Sequence, residues 1–178
     1  MEYKQVALFS SEECDRILNI KRTVQDRSSL APPFTENWIN GIPRVGWSDV
    51  VVEPEPWLVD RLKTLFKFQD YATVDGLWPL IYKEYWEGNK LGYHTDDVKG
   101  IKRVGISIQL NDDYEGGDLQ LLRWRGNLYD NKVTDVTVPR GTGLVTIFPI
   151  FIPHRVTPIT SGIRKQLVTW MTGKYLNW

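Results

Sequence analysis

After Pro79 the sequence breaks into seven short segments rich in β-branched and aromatic residues, at 80–86, 102–110, 119–123, 133–138, 144–148, 155–157 and 165–172, with turn-forming residues between them. Strands this short and this closely spaced bury their apolar sides by pairing in antiparallel sheets, so a sandwich or barrel is expected. The upstream texture is different. Ser10 and Glu13 stand at capping-box spacing, which predicts a helix starting there with Cys14, Ile17, Leu18 and Val24 on one face. Pro54 and Pro56 precede Trp57, Leu58, Leu62, Leu65 and Phe66, the recurrence of a second amphipathic helix. Helices first and strands afterwards give an α+β chain, mainly β, whose helices pack on one sheet.

A chain of 178 residues with 42% hydrophobic content is expected to form one domain, with a helical support over 1–78 and a β core over 79–178. Its 22 basic and 22 acidic residues cancel, so no global field exists to hold a phosphate backbone, and general nucleic-acid binding is disfavoured. A local basic groove stays open. Trp124 between Arg123 and Arg125 suggests either stacking on bases or an ordinary exposed hairpin. The single cysteine, Cys14, rules out an intramolecular disulfide and a cysteine-built zinc site. No apolar run approaches the roughly 18 to 20 residues a membrane span needs, and Met1-Glu2-Tyr3-Lys4 does not lead into a secretory segment. A soluble, cytoplasmic protein is the expectation. Between 28 and 50 the chain mixes Pro32, Pro33, Gly41, Pro43 and Gly46 with Trp38, Arg44 and Trp47, which fits either a substrate cover or a packed irregular layer.

With two histidines in the chain, an imidazole metal site must use His94, His154 or both. His94 and Asp96 are two residues apart, and in an extended segment they point to the same side. Asp97 competes for the role, but alternation directs it away. His154, beyond Pro149 and Pro153, could supply a third ligand from a neighbouring strand. Two imidazoles and a carboxylate on one face of an octahedron leave three positions open, the arrangement that non-haem Fe(II) oxygenases need. Arg164 follows His154 by ten residues across the turn 159–162. If that turn joins adjacent antiparallel strands, the guanidinium fork sits beside the metal and can grip a carboxylate through two bonds, a geometry lysine lacks. Arg155 is out of phase with His154 and is expected to point outward.

Several motifs then occur in order. Tyr85-Trp86-Glu87-Gly88 precedes His94-Thr95-Asp96, Asp113-Tyr114-Glu115-Gly116-Gly117-Asp118-Leu119 follows, and His154-Arg155-Val156-Thr157-Pro158-Ile159-Thr160-Ser161-Gly162-Ile163-Arg164 runs into Val168-Thr169-Trp170. Together with the Phe9-Ser10-Ser11-Glu12-Glu13-Cys14 stretch, the sequence resembles the Fe(II)/2-oxoglutarate-dependent dioxygenases, and within them the prolyl 4-hydroxylase-like group that includes the PKHD-type hydroxylases.

The resemblance implies a distorted double-stranded β-helix, or jelly roll, with supporting N-terminal helices. It implies Fe(II) bound by His94, Asp96 and His154, with 2-oxoglutarate and O2 as co-reactants and ascorbate as a reductant. Arg164 would anchor the 2-oxoglutarate C5 carboxylate, Tyr85 would line that pocket, and Gln109 would be a polar partner of the same carboxylate. Gly116 and Gly117 are expected to serve backbone geometry. The implied activity is hydroxylation of an unactivated C–H bond, coupled to decarboxylation of 2-oxoglutarate to succinate and CO2. The leading substrate is peptidyl-proline, with other protein side chains or a small molecule as alternatives, and Trp38, Arg44 and Trp47 are expected to contact it. Two other readings compete: a zinc hydrolase or cupin-like isomerase, against which Arg164 argues, and an inactive jelly-roll binding module.

Overall fold

In this computed structural model, residues 3–26, 48–68, 72–96, 102–125 and 132–175 are described. The first strand, β1 (Lys4–Ala7), is followed by α1 (Ser11–Leu18), which starts where its caps dictate. The Glu13 amide donates to Ser10 Oγ at 3.2 Å, and the Ser10 amide donates to the Glu13 carboxylate at 3.0 Å. Cys14 and Ile17 form the buried face of α1. Val24, expected on that face, lies instead in β2 (Arg22–Asp26). The helix ends as the Asn19 amide bonds back to Arg16 and Ile17, and the β-branched pair Thr23-Val24 then favours a strand. That strand pairs with β3 (Ser48–Val52), so residues 48–50 belong to a sheet rather than to the irregular stretch expected over 28–50. Pro56 sits in the first turn of α2 (Pro56–Lys63), and a 3-10 turn (Thr64–Phe68) extends it, so that Leu58, Leu62 and Leu65 are all fully buried.

Eleven further strands follow among the described residues: β4 (Ala72–Leu77), β5 (Ile81–Tyr85), β6 (Leu91–His94), β7 (Lys102–Gln109), β8 (Glu115–Gly116), β9 (Leu119–Arg125), β10 (Lys132–Thr137), β11 (Leu144–Pro149), β12 (His154–Val156), β13 (Ile159–Ser161) and β14 (Arg164–Tyr175). The last is the longest. The large sheet runs β1-β11-β7-β14-β5-β3-β2, with β4 pairing the far half of β14. A smaller sheet runs β10-β9-β12-β6, and β8 pairs with β13 in a two-stranded ribbon. Every described pairing is antiparallel. The expected jelly roll with supporting helices is the fold observed.

Alternation along the central strands separates structure from chemistry. Val104, Ile106 and Ile108 of β7, Val145 and Ile147 of β11, and Leu167 and Met171 of β14 join Cys14, Ile17, Leu58, Leu62 and Leu65 in the main core. The intervening residues are largely polar: Ser107 pairs in register with Thr146, and Gln109 with Gln166. The large sheet therefore turns an apolar face to the helices and a polar face to the inside of the roll. β1 to β4, all within the first 78 residues, are strands of that sheet, so this segment supplies more than helices.

One expectation about connectivity is corrected. The segment after His154 is not a hairpin turn, because Ile159–Ser161 forms β13 and pairs with β8. β12 and β14 lie in different sheets, so Arg164 does not stand on a strand adjacent to His154. The chain crosses from one sheet to the other, with the ribbon as its bridge.

Candidate functional site

His94 ends β6 and His154 begins β12, and the two are direct partners in the ladder. Just past β6, Asp96 is held by its amide, which donates to the Ile150 carbonyl at 3.0 Å. The three side chains converge, with one ligand atom from each lying within 4.8 Å of the others. Nε2 of His94 is 3.7 Å from Asp96 Oδ1, and Nε2 of His154 is 3.6 Å from Asp96 Oδ2. The imidazole rings are 4.2 Å apart at their centroids and tilted by 51°.

The far nitrogens settle which atoms are available. His94 Nδ1 is 2.9 Å from the Gly92 carbonyl and His154 Nδ1 is 3.0 Å from the Ile152 carbonyl. A carbonyl can only accept, so each Nδ1 carries a proton, and in the neutral imidazole that tautomer leaves the lone pair on Nε2. Burial drives the pKa of His154 down, and His94 adds to this while Asp96 opposes it. Phe148 contributes to the burial with its ring edge-on to His154 at 4.7 Å. Two lone pairs and a carboxylate thus face one another at distances too long for a shared proton. A divalent cation fits this set, whose nitrogens are oriented by backbone carbonyls as in known metal sites.

Arg164 begins β14 and is 2% exposed, and its Nε and Nη1 are buried without a hydrogen-bond partner among the described residues. A buried guanidinium with unused N–H groups is costly unless a ligand takes them, and a carboxylate is the group whose geometry matches the fork. Its backbone is fixed on both sides by Asn111, whose Nδ2 donates to the Ile163 carbonyl and whose Oδ1 accepts from the Lys165 amide, each at 2.7 Å. Arg164 lines a small cleft, partly open to solvent, together with Ser107, Gln109, Tyr114, Thr146 and Arg140. None of the three converging ligand residues lies on its wall.

Tyr85 pairs with Arg164 across the β5–β14 ladder, its ring 5.3 Å from the guanidinium carbon, and its hydroxyl accepts from Gln166 Nε2 at 3.3 Å. Gln109 donates through Nε2 to the Tyr114 hydroxyl at 2.7 Å and to the Asn111 carbonyl at 3.2 Å. With its oxygen already accepting, the Tyr114 hydroxyl keeps its proton for another acceptor. Gly116 and Gly117 have φ of 69° and 65°. A Cβ at Gly117 would collide with Ile159 and come within 3.2 Å of Arg164 Cδ, so this turn packs against the arginine stem. Arg155 faces outward, bonding Gln120 and Asp135 at 2.8 Å each. Trp38, Arg44, Trp47 and Asp97 lie outside the described residues. Asn111 was not singled out from the sequence, and Tyr114 and Trp170 stood there only as members of longer motifs.

The fold is shared with solved structures that include prolyl hydroxylases and a 2OG-Fe(II) oxygenase family member. Among solved structures, a prolyl hydroxylase from Trichoplax adhaerens, in complex with a hypoxia inducible factor oxygen degradation domain peptide fragment, superposes with a TM-score of 0.66 at 16% identity, covering 96% of this chain and 83% of that one. A Pseudomonas putida prolyl-4-hydroxylase gives 0.60 at 16% identity, covering 97% and 92%. In sequence, a PKHD-type hydroxylase of Colwellia psychrerythraea is 32% identical over 113 residues, covering 59% of this chain and 47% of the relative. The chain spans about half the length of such curated relatives. No protein-family model matches the sequence. The resemblance read from the motifs is thus shared by relatives named PKHD-type hydroxylase.

Proposed function

We propose that the chain is an Fe(II)- and 2-oxoglutarate-dependent hydroxylase in which His94, Asp96 and His154 bind the metal and Arg164 binds the C5 carboxylate of 2-oxoglutarate. The observation that carries this reading is the pairing of two features: three metal-type donors converging without a shared proton, and a buried guanidinium with unpartnered N–H groups in the same fold. When bound, iron and 2-oxoglutarate supply the oxidising chemistry, in which O2 converts 2-oxoglutarate to succinate and CO2 and a hydroxyl is delivered to an unactivated C–H bond. The protein's part is placement. The Nδ1 protons of both histidines are spent on carbonyls, which keeps the Nε2 atoms for the metal. Arg164 offers its buried, unpartnered Nη1–H to the carboxylate as one arm of the guanidinium fork, with Tyr85 flanking it and the Gln109–Tyr114 pair supplying a further hydroxyl donor. Ascorbate as reductant, a cytoplasmic setting and a single domain over 1–178 belong to the same reading.

The test is succinate formation when oxygen is admitted to anaerobically iron-loaded protein with 2-oxoglutarate. Turnover supports the proposal, whereas absence of both iron affinity and uncoupled turnover marks an inactive jelly-roll module. Peptidyl-proline is the proposed substrate, on the strength of the prolyl hydroxylase likeness, and Trp38, Arg44 and Trp47 are proposed to form part of its cover. Proline-containing peptides should gain the mass of one oxygen atom, and a gain confined to free amino acids or other small molecules would refute that substrate. Replacing Trp38 and Trp47 should weaken substrate-stimulated turnover while leaving iron binding intact.

A further inference from the structure

Asp96 has a partner that the ligand set does not require. The indole Nε1–H of Trp170, six residues beyond Arg164 on β14, donates to Asp96 Oδ2 at 2.7 Å. Lys102 Nζ stands 3.4 Å from the centroid of the same indole and 5.0 Å from that of Trp78, whose amide bonds the Trp170 carbonyl at 2.8 Å. A cation on the face of an indole draws electron density from the ring, which makes its N–H a stronger donor. The indole is fixed from three directions: by the carboxylate, by the ammonium and by the pairing of Trp170 with Gly105 on β7.

The consequence concerns how many positions Asp96 occupies on a metal. A carboxylate can bind through one oxygen or two, and in the second mode it takes a position that 2-oxoglutarate or O2 needs. We infer that Trp170 is a positioning residue that engages Oδ2, holds Asp96 to single-oxygen binding through Oδ1, and so keeps a coordination position open for 2-oxoglutarate. This rests on the metal reading above. Trp170 touches neither metal nor co-reactant on this account, and it acts only through the carboxylate.

The experiment compares wild type with W170F, which removes the N–H and keeps an aromatic ring, and with K102M, which keeps the indole and removes the cation. Anaerobic protein is loaded with Fe(II), and 2-oxoglutarate is titrated against the visible charge-transfer absorption of its iron complex, with Fe(II) affinity and melting temperature measured in parallel. In W170F about tenfold more 2-oxoglutarate should be needed for half the absorption change, while Fe(II) binds as tightly as in wild type or tighter. K102M should shift in the same direction by about threefold. Titrations of W170F and K102M that superimpose on wild type would overturn the inference. If W170F does not fold, K102M decides alone, and an unshifted K102M titration then overturns it. Failure of the wild type itself to bind Fe(II) would sink the proposed function instead, so the two failures are distinguishable.

Discussion

Arg164 combines near-complete burial with unsatisfied donors, and its replacement is informative because lysine keeps the charge and loses the fork. R164K should raise the KM for 2-oxoglutarate at least about tenfold and leave Fe(II) affinity unchanged, a split read by steady-state kinetics beside a metal titration. Equal loss of iron binding would mean that the arginine supports the fold rather than the co-reactant. His154 gives the pH dependence. Its pKa lies below the ordinary histidine value, with burial the largest cause, so the folded protein binds fewer protons than the unfolded chain as pH falls. The corresponding stability is fully present above about pH 6.5 and is lost as pH drops through the lowered folded value. Metal-free protein should therefore melt at a lower temperature at pH 5 than at pH 7, with a shallower slope in H154N. An unchanged slope would show that other groups set the acid limb. As candidates these residues were legible in the sequence because chemistry restricts the residue types: two histidines leave little choice of imidazole ligand, and the proposed dicarboxylate anchor favours arginine. Trp170 and Asn111 were not, because their roles are defined by what they touch across the fold and not by spacing along the chain.

Helix α1 shows how far local rules carry. Its capping box satisfies two amides that would otherwise be unpaired at the helix start, and S10A should cost about 1 kcal/mol, measured by denaturant titration, with S10D nearly neutral. One turn on, Cys14 is fully buried, and burial with the neighbouring Asp15 and Glu13 charges pushes its thiol up to about 11. Because the folded pKa lies above the unfolded one, this contribution to stability holds below about pH 8.5 and is lost as pH rises through about 11. At neutral pH Cys14 should resist iodoacetamide until the protein is unfolded, and rapid labelling of native protein would contradict the packing of α1 on the large sheet. Long elements with sustained periodicity, such as α2, β7 and β14, were legible for the same reason as α1: each fills many positions of one pattern. The ribbon strands β8 and β13 are only two and three residues long. So few positions show no alternation, and their pairing depends on a glycine turn packing against Pro158 and Ile159.

The order of strands in space departs from their order in the chain, and the site depends on that departure. β12 lies between β9 and β6, which brings His154 opposite His94, while Asp96 is tethered to the Ile150 carbonyl at the end of β11 in the other sheet. Sequence patterning marks where strands begin and end, but neighbours across the roll follow from how two sheets close on each other, which no local signal encodes. A metal held by all three residues would therefore link the two sheets, and a dicarboxylate reaching from it to Arg164 would link them again. Ligands bound only by the folded state stabilise it by mass action, by about 2.7 kcal/mol at a hundredfold excess over Kd, or roughly 5 to 10 °C in a chain of this size. Anaerobic Fe(II), or Co(II) as a redox-inert probe, should raise the melting temperature by that order, and EDTA should reverse the rise. H94A should abolish it, whereas R164K should keep the metal-dependent rise and lose the further increment from 2-oxoglutarate. If the metal-dependent rise survived H94A, or the 2-oxoglutarate increment survived R164K, the ligands would be bound elsewhere than across the two sheets.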